Sequence, residues 1–135
     1  MKKLNSKCEF ATHRSQLLIK NFRESIARQS KICKARAFQE AVSAPAPRFW
    51  VSEARATRII SMIMKGENVL DGMHSQKRKM YFEIYERVKA IKEAHPELPL
   101  GDIVFEVVNS PAPSFFITVE SARKILTTHN SKHTT

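Results

Sequence analysis

The sequence predicts an all-α protein of six helices, arranged as two similar three-helix bundles of helix-turn-helix type. Three observations lead there. The 135 residues include only three glycines, so β-hairpin turns have little to work with, while abundant Ala, Leu, Ile, Glu, Lys and Arg favour helix. Apolar residues recur at helical spacing in stretch after stretch. The chain also repeats itself: SAPAPRFWVSEARATRII, residues 43–60, returns 66 positions later without a gap as NSPAPSFFITVESARKIL, residues 109–126.

At that offset the identities are Glu40/Glu106, Val42/Val108, Pro45/Pro111, Ala46/Ala112, Pro47/Pro113, Phe49/Phe115, Ala56/Ala122 and Ile59/Ile125. Conservative pairs such as Trp50/Phe116, Val51/Ile117, Ser52/Thr118 and Arg58/Lys124 lie between them. A duplicated unit of about sixty residues is long enough for a three-helix bundle and too short for a solenoid array. The expected repeats are residues 13–66 and 76–128.

The elements follow in order. Leu17, Leu18, Phe22 and Ile26 form a helical stripe in the first repeat, answered by Phe82, Tyr85, Val88 and Ile91 in the second. A short second helix carries Ala37, Phe38, Ala41 and Val42, matched by Ile103, Val104, Val107 and Val108, with Gly101 and Asp102 marking the second copy's start. The Pro-Ala-Pro element ends it, because proline lacks an amide proton and pushes the residue before it out of helical dihedrals. An aromatic pair follows, Phe49-Trp50 or Phe115-Phe116, of which at least one ring is expected to plug the core. Ser52 and Thr118 suit N-caps, and Glu53 and Glu120 sit in the first turn where the helix dipole favours an anion. The third helix then sets Ala56, Ile59, Ile60 and Ile63 against the core, as do Ala122, Ile125 and Leu126 in the second copy. Residues 65–76, with two of the glycines, read as a connecting turn, and the polar tail from Thr127 is expected to fray.

The formal charge of +10 is unevenly placed. Residues 1–66 carry fourteen Lys and Arg against four Glu, and residues 67–135 carry nine against nine acids. A half this basic is a footprint for a polyanion, most often nucleic acid. Cys8 and Cys33 fit neither a disulfide framework nor a zinc site, which suggests free thiols in a reducing compartment. No apolar run approaches a membrane span, and no leader is expected from the first residues. The expected setting is the cytoplasm, associated with the nucleoid. No metal site and no cofactor are expected. Catalysis is not expected either: there is no phosphate loop or nucleophile motif, and His13, His74, His95, His129 and His133 have no carboxylate at telling spacing.

On the third helix of the first repeat, Arg55, Arg58, Met62 and Lys65 lie opposite the apolar stripe, with Thr57 and Ser61 as small polar neighbours, Ser52 at the cap and Arg48 in the turn before it. Guanidinium groups clamp phosphates or take two hydrogen bonds from guanine, and a helix enters the major groove. In the second copy the same face has become Ser114, Ser121, Lys124, Thr128 and Ser131, so Thr118, Ser121, Arg123 and Lys124 are secondary candidates, with Lys77 to Lys79 holding a phosphate. The lysine-rich arm of residues 1–7 suits a groove or phosphates as well as a solubilising tail.

With these residues in place, the chain resembles the broad helix-turn-helix class in tandem form, like proteins with two Myb-like or homeodomain-like bundles. It also looks like small proteins of Bacteroidetes genomes and their mobile elements that carry a PAPxF element followed by a Ser or Thr cap, here Pro45, Ala46, Pro47, Phe49 and Ser52, and Pro111, Ala112, Pro113, Phe115 and Thr118. Its turn is longer and richer in proline than the glycine-centred turn of phage repressors. The resemblance implies a non-catalytic duplex-DNA-binding protein, a transcriptional regulator or mobile-element accessory, that makes its main contact through the third helix of the first repeat. Two alternatives stay open: a helical adaptor whose basic face meets an acidic protein, and an RNA-binding protein. The second repeat is a candidate for a protein partner or self-association.

Overall fold

A computed structural model describes residues 6–133, with side chains for 10–128. The arm of residues 1–5, and the side chains of Lys7, Cys8, His129 and His133, lie outside the described residues. Among the described residues the protein is all-α, with six helices and no strand: α1 Ser6–Arg28, α2 Lys34–Ser43, α3 Glu53–Met64, α4 Ser75–Ala94, α5 Leu100–Val108 and α6 Val119–His133. Helix α6 continues through the polar stretch expected to fray.

The chain divides into two compact units, and these cut across the repeats. One unit joins residues 1–45 to 113–135, and the other is the continuous stretch Ala46–Ala112. In the first, α1 packs on α2 and both receive α6. In the second, α4 packs on α5 and both receive α3. Each unit therefore takes its first two helices from one repeat and its third helix from the other.

The duplication explains why such an exchange is tolerated. The third helices carry equivalent apolar residues, buried Ala56, Ile59 and Ile60 against buried Ala122 and half-buried Ile125 and Leu126, so either one suits either pair of partners. The proline joints bias the choice. Ala44 leaves α2 with φ −68° and ψ 150°, and the chain then bends, the Val51 amide donating to the Phe49 carbonyl at 3.0 Å, before Ser52 at φ −71° and ψ 152° opens α3. Such a joint carries the third helix away from the helix before it, the condition under which identical elements swap.

In the discontinuous unit the core is formed by Leu18, Ile19, Ala37, Phe38, Ala41, Val42, Phe115 and Ala122, all buried. Phe22 leans on Phe38 with ring centroids 4.6 Å apart. The Phe115 amide donates to the Val42 carbonyl at 3.1 Å, stitching the two chain segments together. In the continuous unit the core is Phe49, Val51, Ala56, Ile59, Ile60, Met80, Tyr81, Ile84, Val88 and the α5 residues Ile103, Val104, Val107 and Val108. There the Phe49 amide donates to the Val108 carbonyl at 3.0 Å, the same bond at the equivalent position.

The two ends of the continuous unit meet. Ala46 and Ala112, the middle residues of the two Pro-Ala-Pro elements, form an antiparallel bridge. The Ala46 amide donates to the Ala112 carbonyl at 3.0 Å, and the Ala112 amide returns the bond at 2.9 Å. Both alanines are buried, so the pairing satisfies backbone groups that would otherwise be stranded.

The aromatic pairs behave as the spacing predicts, with Phe49 and Phe115 buried and Trp50 and Phe116 half-buried. The α4 stripe does not. Phe82 is 55% exposed, while Met80, Tyr81, Ile84 and Val88 face the core. The apolar residues of α4 are dense enough to support two stripes rotated by about one residue, and the packing of α3 and α5 selects the one that buries Tyr81.

Helix α3 ends on Gly66 at φ +84°. The Gly66 amide donates to the Ile63 carbonyl at 2.9 Å, and the Glu67 amide to the Met62 carbonyl at 3.0 Å, the pair of bonds that closes a helix on a left-handed residue. A Cβ at Gly66 would meet nothing within 4 Å, so Gly66→Ala carries only the backbone cost. Its expected effect on urea unfolding is a loss of about 1 kcal/mol. Truncation of the fully buried Phe49 to Ala is expected to cost about 3–5 kcal/mol in the same measurement, and Trp50→Ala clearly less.

Candidate nucleic-acid interface

Of the residues that the sequence singles out, Arg48 is committed to the fold. Its Nε donates to the Phe49 carbonyl at 2.9 Å, Nη2 to the Val51 carbonyl at 2.8 Å and Nη1 to Asn109 Oδ1 at 3.3 Å. Burial pushes its guanidinium down from its ordinary value, with the nearby Glu53 charge opposing. Asn109 turns its own amide to Glu53 Oε1 at 3.2 Å. A backbone amide bond at Glu53 itself, and then Asn109, hold that carboxyl below the usual carboxylate range. Arg48 braces the joint where the unit's two ends meet.

The other α3 candidates are differently placed. The Ser52 hydroxyl accepts from the Arg55 amide at 3.1 Å, so it is an N-cap. The Thr57 hydroxyl donates back to the Glu53 carbonyl at 2.7 Å, and Ser61 is half-buried. Arg55 is exposed, although its Nε donates to the hydroxyl of buried Tyr81 at 3.2 Å. Arg58 and Lys65 are exposed and make no ion pair among the described residues. In α6, the Thr118 hydroxyl accepts from the Ser121 amide at 3.0 Å, and Ser121 and Lys124 are exposed. Thr118, Ser121 and Lys124 thus lie in one unit, and the α3 candidates lie in the other.

This division redistributes the charge. Residues 1–45 with 113–135 carry thirteen Lys and Arg against four Glu, a net of +9. Residues 46–112 carry ten against nine acids, a net of +1. The arginine-lined α3 and the charge excess share a repeat but not a unit, and the excess keeps company with α6.

Within the basic unit Arg23 of α1, Lys31 of the α1–α2 turn and Lys34 at the start of α2 are exposed and make no ion pair among the described residues. Cys33, the N-cap of α2, gives no side-chain cap, and its own amide donates to Gln29 Oε1 at 2.6 Å. With no acid in the first turn of α2, the amides that follow suit an anion. Arg123 stands over the Phe38 ring, its Cζ 5.4 Å from the centroid.

Glu40 ties α2 to α1. The hydroxyl of Ser25, completely buried, donates to it, Arg36 pairs with it at 3.2 Å and Arg28 at 3.5 Å. The Ser25 bond first, and then Arg36 and Arg28, hold its carboxyl below the usual range against a smaller desolvation effect. No group of three or more potential metal ligands occurs among the described residues, and no helix among them is long and apolar enough to cross a membrane.

Comparison with family models, with curated proteins and with solved structures yields no match.

Because folding favours the ionised form of Glu40, its contribution to the α1–α2 contact is present above the unfolded carboxylate's titration and is lost as pH falls through the lower folded value. Urea midpoints followed from about pH 7 down to about pH 3 are expected to decline more steeply for the wild type than for Glu40→Gln. Equal slopes would remove Glu40 from the acid sensitivity.

Proposed function

We propose that the protein is a non-catalytic binder of duplex DNA, and that its main contact is the basic unit of α1, α2 and α6. The observation that carries this reading is the net charge of +9 gathered in that unit, where Arg23, Lys31 and Lys34 are exposed and Cys33 gives α2 no side-chain cap. Lysine and arginine at that density displace condensed counterions from a duplex, and the α2 amides offer a directed site for one phosphate. Helix α6 takes the place of the third helix in this trio, and its Thr118, Ser121 and Lys124 are the side chains offered for contact with bases or backbone.

This reading moves the principal contact away from α3. The Arg55, Arg58 and Lys65 face belongs to a unit of near-neutral charge, where it serves as an auxiliary phosphate contact alongside Lys77 and Lys79. The helix-turn-helix resemblance favours DNA over RNA, as does the burial of Phe49 and Phe115, which withdraws the rings of the two aromatic pairs from stacking on single-stranded bases. A regulatory or mobile-element role belongs to this proposal by resemblance alone.

A salt titration of duplex binding by fluorescence anisotropy tests it. Affinity is expected to fall steeply with salt, and the combined change of Arg23, Lys31 and Lys34 to Ala to reduce the slope of log K against log salt by about 2 to 3. Arg55→Ala with Arg58→Ala is expected to keep most of the affinity. The reverse ranking would return the contact to α3, and absence of binding at low salt would favour an adaptor for an acidic protein.

A further inference from the structure

The two repeats share a backbone plan, so positions exposed in both copies are free of core demands, and differences there report on what the surface meets. Helices α2 and α5 correspond. At their exposed faces, Arg36 and Gln39 of α2 become Asp102 and Phe105 of α5, while Glu40 is matched by Glu106. The Phe105 side chain is 58% exposed, and Asp102 and Glu106 flank it one turn before and one residue after. In α2 the glutamate is occupied by Ser25, Arg28 and Arg36. No such arrangement holds Glu106, since the position equivalent to Ser25 is Ile91 and the one equivalent to Arg36 is Asp102. An apolar ring set between two exposed acids at positions where the sister helix carries Gln and Arg is not required by the fold.

The basic unit contains the complementary feature. A groove of about 460 Å³ runs between α1 and α6, floored by Ala11, Ile19 and Ile125, with Ser15 and Thr128 on its walls and Lys124 as its only cation among the described residues. No carboxylate among the described residues lines it. Its size accepts a phenyl ring with room to spare, and it belongs to the unit of net charge +9.

We propose that α5 of one molecule docks into the α1–α6 groove of a second copy, Phe105 entering the apolar floor while Glu106 and Asp102 face Lys124 and the surrounding positive unit. Opposite charge selects this occupant over a second α5 face, which would bring four carboxylates together. The two surfaces differ, so each contact pairs α5 of one molecule with the groove of another, whether the pairing closes reciprocally as a dimer or runs on from molecule to molecule. It engages Lys124, one of the α6 side chains offered to the duplex, while Arg23, Lys31 and Lys34 do not line the groove. The proposal does not rest on nucleic-acid binding.

Sedimentation velocity of the full chain without nucleic acid, over a range of concentrations and at low and high salt, tests it. The weight-average mass is expected to climb above that of the monomer with concentration at low salt and to fall back in high salt. Phe105→Gln installs the residue that α2 carries at Gln39, and is expected to give a monomer with unchanged circular dichroism. Glu106→Lys and Lys124→Glu are each expected to weaken association at least tenfold, and their equimolar mixture to recover it, since each contact between the two variants again pairs opposite charges. A wild type that stays monomeric throughout, association that survives Phe105→Gln, or an equimolar mixture that stays monomeric would each overturn the proposal.

Discussion

The structure depends on a pair of backbone hydrogen bonds between two alanines. Ala46 and Ala112 exchange amide and carbonyl in a buried bridge, and each is flanked by prolines that contribute no donor of their own. With prolines on both sides, the alanine amide is the only one available within each Pro-Ala-Pro element. Pairing the two elements is therefore the way in which both can be buried without stranding a polar group. That pairing brings together the first and last residues of the unit formed by residues 46–112, so this stretch can sit inside the chain as a closed insertion.

Side chains reinforce the joint from both repeats. Arg87 lies over the Phe49 ring at 5.1 Å and donates to the Pro111 carbonyl at 2.8 Å and to Ser110 at 3.3 Å, with Glu83 holding its Nε at 2.9 Å. Arg48 reaches from the first Pro-Ala-Pro element to Asn109 beside the second. Two arginines that read as surface charge in a linear sequence are thereby spent on carbonyls and a ring. Cations that hold the fold cannot also be the ones that hold a polyanion.

The same exchange explains how a duplicated chain acquires two different surfaces. Once each third helix packs on the other repeat's partners, the charge of each unit depends on which pieces meet rather than on which repeat they came from. Eighteen of the chain's charges are Lys, Arg, Asp or Glu of residues 67–135 and cancel nine against nine, yet Arg123 and Lys124 from that neutral half finish in the strongly basic unit. Helix α5, left in the near-neutral unit, is free to carry acids and an exposed ring.

The sequence by itself determined the helices, the repeat, the caps and most of the core, because each of these is a local matter. Helical periodicity, a proline's missing amide, a serine or threonine oxygen at an N-cap and a glycine after a helix act within a few residues, and α2 and α5 bury the residues their spacing nominated, as does α3 except at half-buried Ile63. Tertiary structure alone decided which third helix serves which pair, which of two stripes α4 buries, and where the basic surface lies. Two nearly identical helices offer the same apolar face, so periodicity cannot distinguish their destinations. Only the proline joints and the packing they permit make that choice, and with it they decide that Arg48 is a brace and that the cations of α1, α2 and α6 share one unit.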